Sequence, residues 1–196
     1  MKNLLLVLLM IPLIFGSCKK DDDNVVPSSS NTWTKTFGGT GTDFGLEVQQ
    51  TNDGGYIIVG NTFSFGNGNG YNDVYLIKTD GSGNEQWNKT FGGTEDDYGY
   101  SVQLTNDGGY IITGNTYSFG NGNSDVYLIK TDGSGNEQWN KTFGEIRRDF
   151  GNSVQQTTDG GYIITGFTTS FGNGNGLEDV YLIKTDGSGN EQWYKT

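Results

Sequence analysis

Trp33, Trp87, Trp139 and Trp193 stand 54, 52 and 54 residues apart, and the stretches between them nearly repeat one another. A period of that length means a tandem array: one supersecondary unit is written several times, and each copy finds its cover against the next. The segment Asp73 to Trp87 returns unchanged as Asp125 to Trp139 and as Asp179 to Trp193. Thr51 to Ile58 returns as Thr105 to Ile112, and again as Thr157 to Ile164 with Thr158 in place of the asparagine. Any fold for this chain has to house three copies of the same object.

Each copy reads as four strands, in the first at about residues 45–50, 56–61, 73–79 and 85–91, bounded by glycine and asparagine clusters. Asp53, Gly54 and Gly55 form a tight turn between the first two strands, because Asp-Gly and Gly-Gly supply the positive φ that hairpin turns require. Asp107 and Asp159 hold the same place in the other copies. Asp80 to Asn84 turns the last two strands in the same way. The Gly/Asn-rich loop from Ser64 to Asn72 carries the length differences between copies, as surface loops do.

The middle strands, Tyr56 to Val59 and Val74 to Ile77, are apolar on consecutive residues, so both faces of the sheet need cover. Sheets stacked face to face supply it. The outer strand from Glu85 to Thr90 is polar apart from Trp87, which suits a position nearer solvent. The fold class expected is therefore all-β: three tandem four-stranded antiparallel units forming a partial, open β-propeller-like array. A three-fold closed fold, a β-trefoil or β-prism, fits the same count of strands.

Composition narrows function by exclusion. Twelve basic residues stand against 23 acidic ones, a formal charge of −11, so phosphate backbones are repelled and no nucleic-acid partner is expected. There is no histidine, which removes the commonest general base and metal ligand, and the single cysteine lies in the N-terminal segment. Carboxylates such as Asp53, Asp80 and Glu85 recur in every copy, as turn residues do and active sites seldom do. The chain is expected to be no enzyme and to need no cofactor.

The N-terminus has its own logic. Lys2, an apolar run from Leu4 to Phe15, and the small residues Gly16 and Ser17 before Cys18 have the layout of a secretory signal, too short to span a bilayer as a helix. Phe15-Gly16-Ser17-Cys18 resembles a lipobox, at which bacterial lipoprotein precursors are diacylated on cysteine and cleaved before it. The resemblance implies lipidation at Cys18, with acyl chains adding about 0.8 kcal/mol of membrane affinity per buried methylene. Lys19-Lys20-Asp21-Asp22-Asp23 resembles the signal that sends some lipoproteins to the outer face of the outer membrane. Asn24 to Ser30 reads as a flexible tether. The expected organisation is a signal peptide at 1–17, a lipidated cysteine and tether at 18–30, and repeats over 31–196 at about 34–87, 88–139 and 140–193.

Phe91-Gly92-Gly93, Thr105 to Tyr110, and Asp125 to Asp132 with Gly135 and Trp139 resemble bacterial β-propeller repeats of the SBBP type. They are more loosely similar to quinoprotein-like propellers. That resemblance covers Asn31 to Thr196 and implies blade architecture in an extracellular protein more than any activity. Closed propellers have typically four to eight blades. Three units, with an opening strand expected around Trp33 in phase with the closing one around Trp193, leave three possibilities: a truncated product, a ring completed by another chain, or an open array. An end blade is expected to expose residues such as Tyr56, Ile58, Val74 and Leu76, and with them a tendency to self-associate.

Two further features are candidates for binding. Asp80, Ser82 and Asn84, with Asp132, Ser134, Asn136 and Asp186, Ser188, Asn190, alternate like the start of a calcium loop. The sixth and twelfth positions, Glu85 and Phe91, break that pattern, so a hairpin turn is the expected role. The loops Phe63 to Tyr71, Tyr117 to Ser124 and Thr169 to Leu177 set aromatic rings among Gly and Asn, as a glycan or protein ligand requires and as plain spacers also do. The function expected is a membrane-anchored surface scaffold for binding or adhesion. The alternatives are a structural or truncated array without a ligand, and a lectin-like β-trefoil or β-prism.

Overall fold

A computed structural model describes residues 32–66, 70–172 and 176–196. Their strands are β1 Asp43–Gln50, β2 Tyr56–Thr62, β3 Asp73–Thr79, β4 Glu85–Phe91, β5 Asp97–Leu104, β6 Tyr110–Thr116, β7 Asp125–Thr131, β8 Glu137–Phe143, β9 Asp149–Gln156, β10 Tyr162–Thr168, β11 Asp179–Thr185 and β12 Glu191–Lys195. They form three antiparallel meanders, β1 to β4, β5 to β8 and β9 to β12, each an open four-stranded sheet. All four strands expected in the first copy are present, the first starting two residues earlier and the second ending one later. The turns are as expected too: the Gly54 N–H donates to the Thr51 carbonyl at 2.9 Å with Gly54 at φ +81°, and Gly83 closes on Asp80 at 3.1 Å with φ +75°.

The sheets stack in chain order as blades of an open, propeller-like array. Ile57, Val59, Val74 and Leu76 of the first blade pack on Val102, Tyr110, Ile112, Tyr127 and Ile129 of the second. The second blade's other face, Ile111, Val126 and Leu128, packs on Val154, Tyr162, Ile164, Tyr181 and Ile183 of the third. Burying each Ile, Leu or Val completely contributes about 1.5–3 kcal/mol, so these two seams hold most of the stabilising apolar area. The β-trefoil and β-prism alternatives are overturned: Val48 at the start of the stack and Val180 at its end are 58% and 71% exposed, so the two end faces do not meet.

Two other expectations need correcting. Among the described residues no strand forms around Trp33, because none of them supplies the third strand of a preceding sheet to pair with it; Trp33 packs on Tyr56 of the first blade instead. Val74 and Leu76 are fully buried rather than exposed at the end of the array. Alternation along β3 puts them on the face toward the second blade, while Tyr75 and Ile77 share the outer face with Tyr56 and Ile58.

Each sheet carries two bulges. The inner one lies between Gly45 and Glu47 in β1, and its counterpart in β5 lies between Gly99 and Ser101. It drives the Phe44 carbonyl toward β2, where a Cβ on Gly60 would sit 1.7 Å from that oxygen. Gly114 and Gly166 face the carbonyls of Tyr98 and Phe150 at the same distance, so only glycine fits opposite this bulge. The outer bulge falls at Gln86, between the paired residues Glu85 and Trp87, and it serves the buried lysine described next.

Candidate functional site

Lys78, Lys130 and Lys184 are buried near the ends of strands whose middle four residues are apolar on both faces. A buried ammonium persists only when its donors are satisfied. Lys78 Nζ pairs with Asp53 Oδ2 at 2.9 Å and donates to the Thr79 carbonyl at 2.9 Å and to Gln86 Oε1 at 3.0 Å. Lys130 meets Asp107, Thr131 and Gln138 in the same way, and Lys184 meets Asp159, Thr185 and Gln192. The bulge in the outer strand turns the glutamine inward to complete the set. Asp53, Asp107 and Asp159 are thus the outer ends of three identical clasps that tie the β1–β2 type of turn to the third and fourth strands. Desolvation alone would raise the Asp107 carboxyl, but hydrogen bonds from Thr105, Lys130 and the Gly109 N–H, with the Lys130 charge, hold it down at about 2. For Asp53 the Thr51 hydroxyl, then Lys78 and the Gly55 N–H, keep the carboxyl well below its ordinary range. The same clasp does so for Asp159.

The tryptophans join one blade to the next. The Trp87 ring lies 6.1 Å from that of Tyr110, and a Cβ on Gly135 would be 2.6 Å from it. Trp139 stands 5.9 Å from Tyr162, with Gly189 equally close. Trp33 repeats the arrangement on the first blade, 6.2 Å from Tyr56 and pressed on Gly83. Trp193, on the last strand, is 42% exposed.

A second set of carboxylates, unremarked in the sequence, lies at the seams. Asp97, Asp125 and Asp149 are fully buried. Asp97 Oδ2 accepts the Gly93 N–H at 2.7 Å and the Ser118 hydroxyl at 2.6 Å; Asp149 Oδ2 accepts the Glu145 N–H at 3.0 Å and the Ser170 hydroxyl at 2.6 Å. Asp125 Oδ2 takes the Asn121 N–H at 2.6 Å. Asp125 and Asp149 flank Gly144 across the seam between the second and third blades. Burial, opposed by the Asn121 hydrogen bond and reinforced by the charges of Asp149 and Glu145, pushes the Asp125 carboxyl up to about 6.

The loops after β2, β6 and β10 are pinned. Ser64 Oγ donates to Asp43 Oδ2 at 2.7 Å, and Ser118 and Ser170 repeat that bond on Asp97 and Asp149. Phe65, Phe119 and Phe171 lean on the buried Tyr75, Tyr127 and Tyr181 with ring centres 5.7, 5.7 and 5.5 Å apart. Phe63, Tyr71 and Tyr117 are exposed beside them, and Phe65 and Phe119 are exposed to a similar degree. Residues 67–69 and 173–175 of these loops lie outside the described residues.

Asp80 Oδ1 accepts the N–H groups of Ser82 and Asn84, both at 2.8 Å, and Asn84 Nδ2 donates to Asp80 Oδ2 at 2.9 Å. Asp132 and Asp186 do the same in their copies. The calcium-like spacing is therefore a hairpin turn whose carboxylate is used by its own backbone. Cys18, the candidate lipidation site, lies outside the described residues.

Sequence reasoning missed the lysine clasp and the seam aspartates. Each leaves a trace: a lysine repeated unchanged directly after a run apolar on both faces, and an aspartate opening the inner and third strands of every copy. No protein-family model matches the chain, and no curated protein matches it either. What fold and sites together define is a repeat scaffold, an open β-propeller-like array of three four-stranded sheets.

Proposed function

We propose that the chain is a non-enzymatic binding or adhesion scaffold, lipid-anchored through Cys18 on the outer face of the outer membrane, that presents the aromatic rim of its blades to a glycan or protein ligand. The observation that carries this reading is the pinned loop. In each copy a serine bound to a buried or half-buried aspartate and a phenylalanine on a buried tyrosine fix the loop, while in the first two copies the rings of Phe63, Tyr71 and Tyr117, together with the pinned Phe65 and Phe119, are exposed. Rigid rings presented to solvent offer contact area at little entropic cost, and a rigid scaffold carrying loops is where binding usually resides. Against catalysis stands the employment of the repeated carboxylates: Asp53, Asp107 and Asp159 hold lysines, and Asp80, Asp132 and Asp186 hold their own turns.

Two experiments test the two halves. Labelled fatty acid should enter the protein in growing cells and be lost with Cys18→Ala; label retained in that variant would remove the anchor. A glycan and protein-ligand array probed with the full chain should give signals that fall at least tenfold with Tyr117→Ala and Phe63→Ala together. Signals that ignore both rings would favour a structural array without a ligand.

A further inference from the structure

The two interior seams use one pair of faces twice. The face of the second blade that carries Val126 and Leu128 is fully buried against the third blade. The same face of the third blade carries Val180 and Leu182 on a strand of identical sequence, and there Val180 is exposed. At the other end, Val48, Tyr56 and Ile58 correspond to Val102, Tyr110 and Ile112, which are buried under the first blade. They line an open cleft of about 250 Å³ with Trp33 and Phe37. The outer faces of the three described blades are the two halves of a contact that these blades already make twice.

Among the described residues only the first blade's half is partly covered, by residues 33–37. They stand where the outer strand of a preceding blade stands elsewhere. Trp33 sits on Tyr56 as Trp87 sits on Tyr110, and Lys35 Nζ reaches Asn84 Oδ1 at 3.0 Å as Lys89 reaches Asn136 at 3.2 Å and Lys141 reaches Asn190 at 3.3 Å. Trp193 and Lys195 are the corresponding residues at the open end of the third blade. We propose that the third blade of one copy docks on the first blade of a second copy in the register of the interior seams, and that residues 33–37 are an exchangeable strap holding the site that Trp193 and Lys195 of the incoming copy take.

The occupant is a second copy because the exposed face of the third blade matches, on its third strand, a face that already fits this socket type. Such a contact is head-to-tail, with different patches on the two partners. The strap must leave because the groove takes one indole: a Cβ on Gly83 would already be 2.5 Å from the Trp33 ring, as one on Gly135 would be 2.6 Å from Trp87.

The register names a cross-link. A Cβ on Gly99 would lie 2.6 Å from Val74 Cγ1, and one on Gly151 2.9 Å from Val126 Cγ1. The corresponding pair between copies is Gly45 with Val180, and side chains that approach this closely are the kind a disulfide can join, since it needs Cβ atoms roughly 3.5–4.5 Å apart. A Cβ on Gly45 meets nothing nearer than 3.5 Å and Val180 is exposed, so neither change disturbs a chain's own core. The test uses the full chain in mild detergent with Cys18→Ala, mixing Gly45→Cys chains with Val180→Cys chains under a mild oxidant. A mixed dimer should form at least tenfold faster than Gly45→Cys chains cross-link among themselves. Adding Trp33→Ala to the Gly45→Cys chain should accelerate it several-fold, and adding Trp193→Ala to the Val180→Cys chain should slow it. A mixed dimer no faster than the single-variant control overturns the docking, and a rate indifferent to Trp33→Ala overturns the strap. Unfolding midpoints matching the parent chain confirm that both cysteine variants are folded.

Discussion

Val126 and Val180 occupy the same place in strands of identical sequence, yet the first is fully buried and the second is 71% exposed. The difference lies in what stands beside the strand: a third blade covers Val126, and none covers Val180. Repetition therefore writes both halves of every seam into every copy, and position in the array decides which half is used. Residue preferences alone carry no information on this point, because the two strands are the same.

The comparison breaks most visibly under charge. Val126→Asp places an unpaired carboxylate in a closed seam and should cost about 3–5 kcal/mol, enough to unfold most of the population at room temperature. In the undocked monomer, at protein concentrations too low for copies to associate, Val180→Asp should stay within about 0.5 kcal/mol in urea unfolding. Equal losses at that dilution would mean that the chain covers its own end face. A gentler version uses the tryptophans. Trp139→Ala opens a cavity between blades and should cost about 2–4 kcal/mol, whereas Trp193→Ala, which faces no following blade within the chain, should cost less than about 1 kcal/mol.

The clasps sharpen the contrast because they lie within blades. Lys130→Ala and Lys184→Ala should each lose about 1–3 kcal/mol, through buried acceptors left without a donor, and the losses should match despite the open face beside Lys184. Unequal losses in urea titrations would show that the seam contributes to the clasp.

The smallest effect is in the pH profile. Asp125 has its carboxyl raised by burial to about 6 from 3.8, so its contribution to stability is complete below about pH 4 and is lost as the pH rises through 6. Asp107 is held at about 2, so its contribution is present above about pH 4 and is lost as the pH falls toward 2. Melting temperature should therefore peak on the mildly acidic side of neutrality. Asp125→Asn should flatten the fall above the peak and leave the acid limb in place; an unchanged upper limb would show that Asp125 is not the titrating group.

Much of this architecture was legible before any coordinates. Asp-Gly-Gly marks the inner turn, Asp80 to Asn84 the outer one, and the consecutive apolar residues of β2 and β3 require sheets covered on both faces. Which face looks toward which neighbour was not legible, since alternation gives two faces without naming their partners; hence the misplacement of Val74 and Leu76. The bulges also escaped pattern reading. A slip of one residue at Leu46 or Gln86 leaves the polar and apolar sequence unchanged, and the trace of the inner one is a glycine opposite, at Gly60, in a chain full of glycines. The clasp was hidden for a related reason, because Lys78 reads as a solvent-facing end of its strand until Asp53, Thr79 and Gln86 are brought around it.

The placement of each clasp inside a single sheet has a consequence for how such arrays change length. Lys78, Asp53, Thr79 and Gln86 all belong to one copy, and so do their counterparts in the other two. Duplicating or deleting a whole copy therefore strands no buried ammonium and leaves no carboxylate of the clasp without its cation. The charge balance of the clasp is settled within each repeat, so the number of copies is free to drift without unbalancing it.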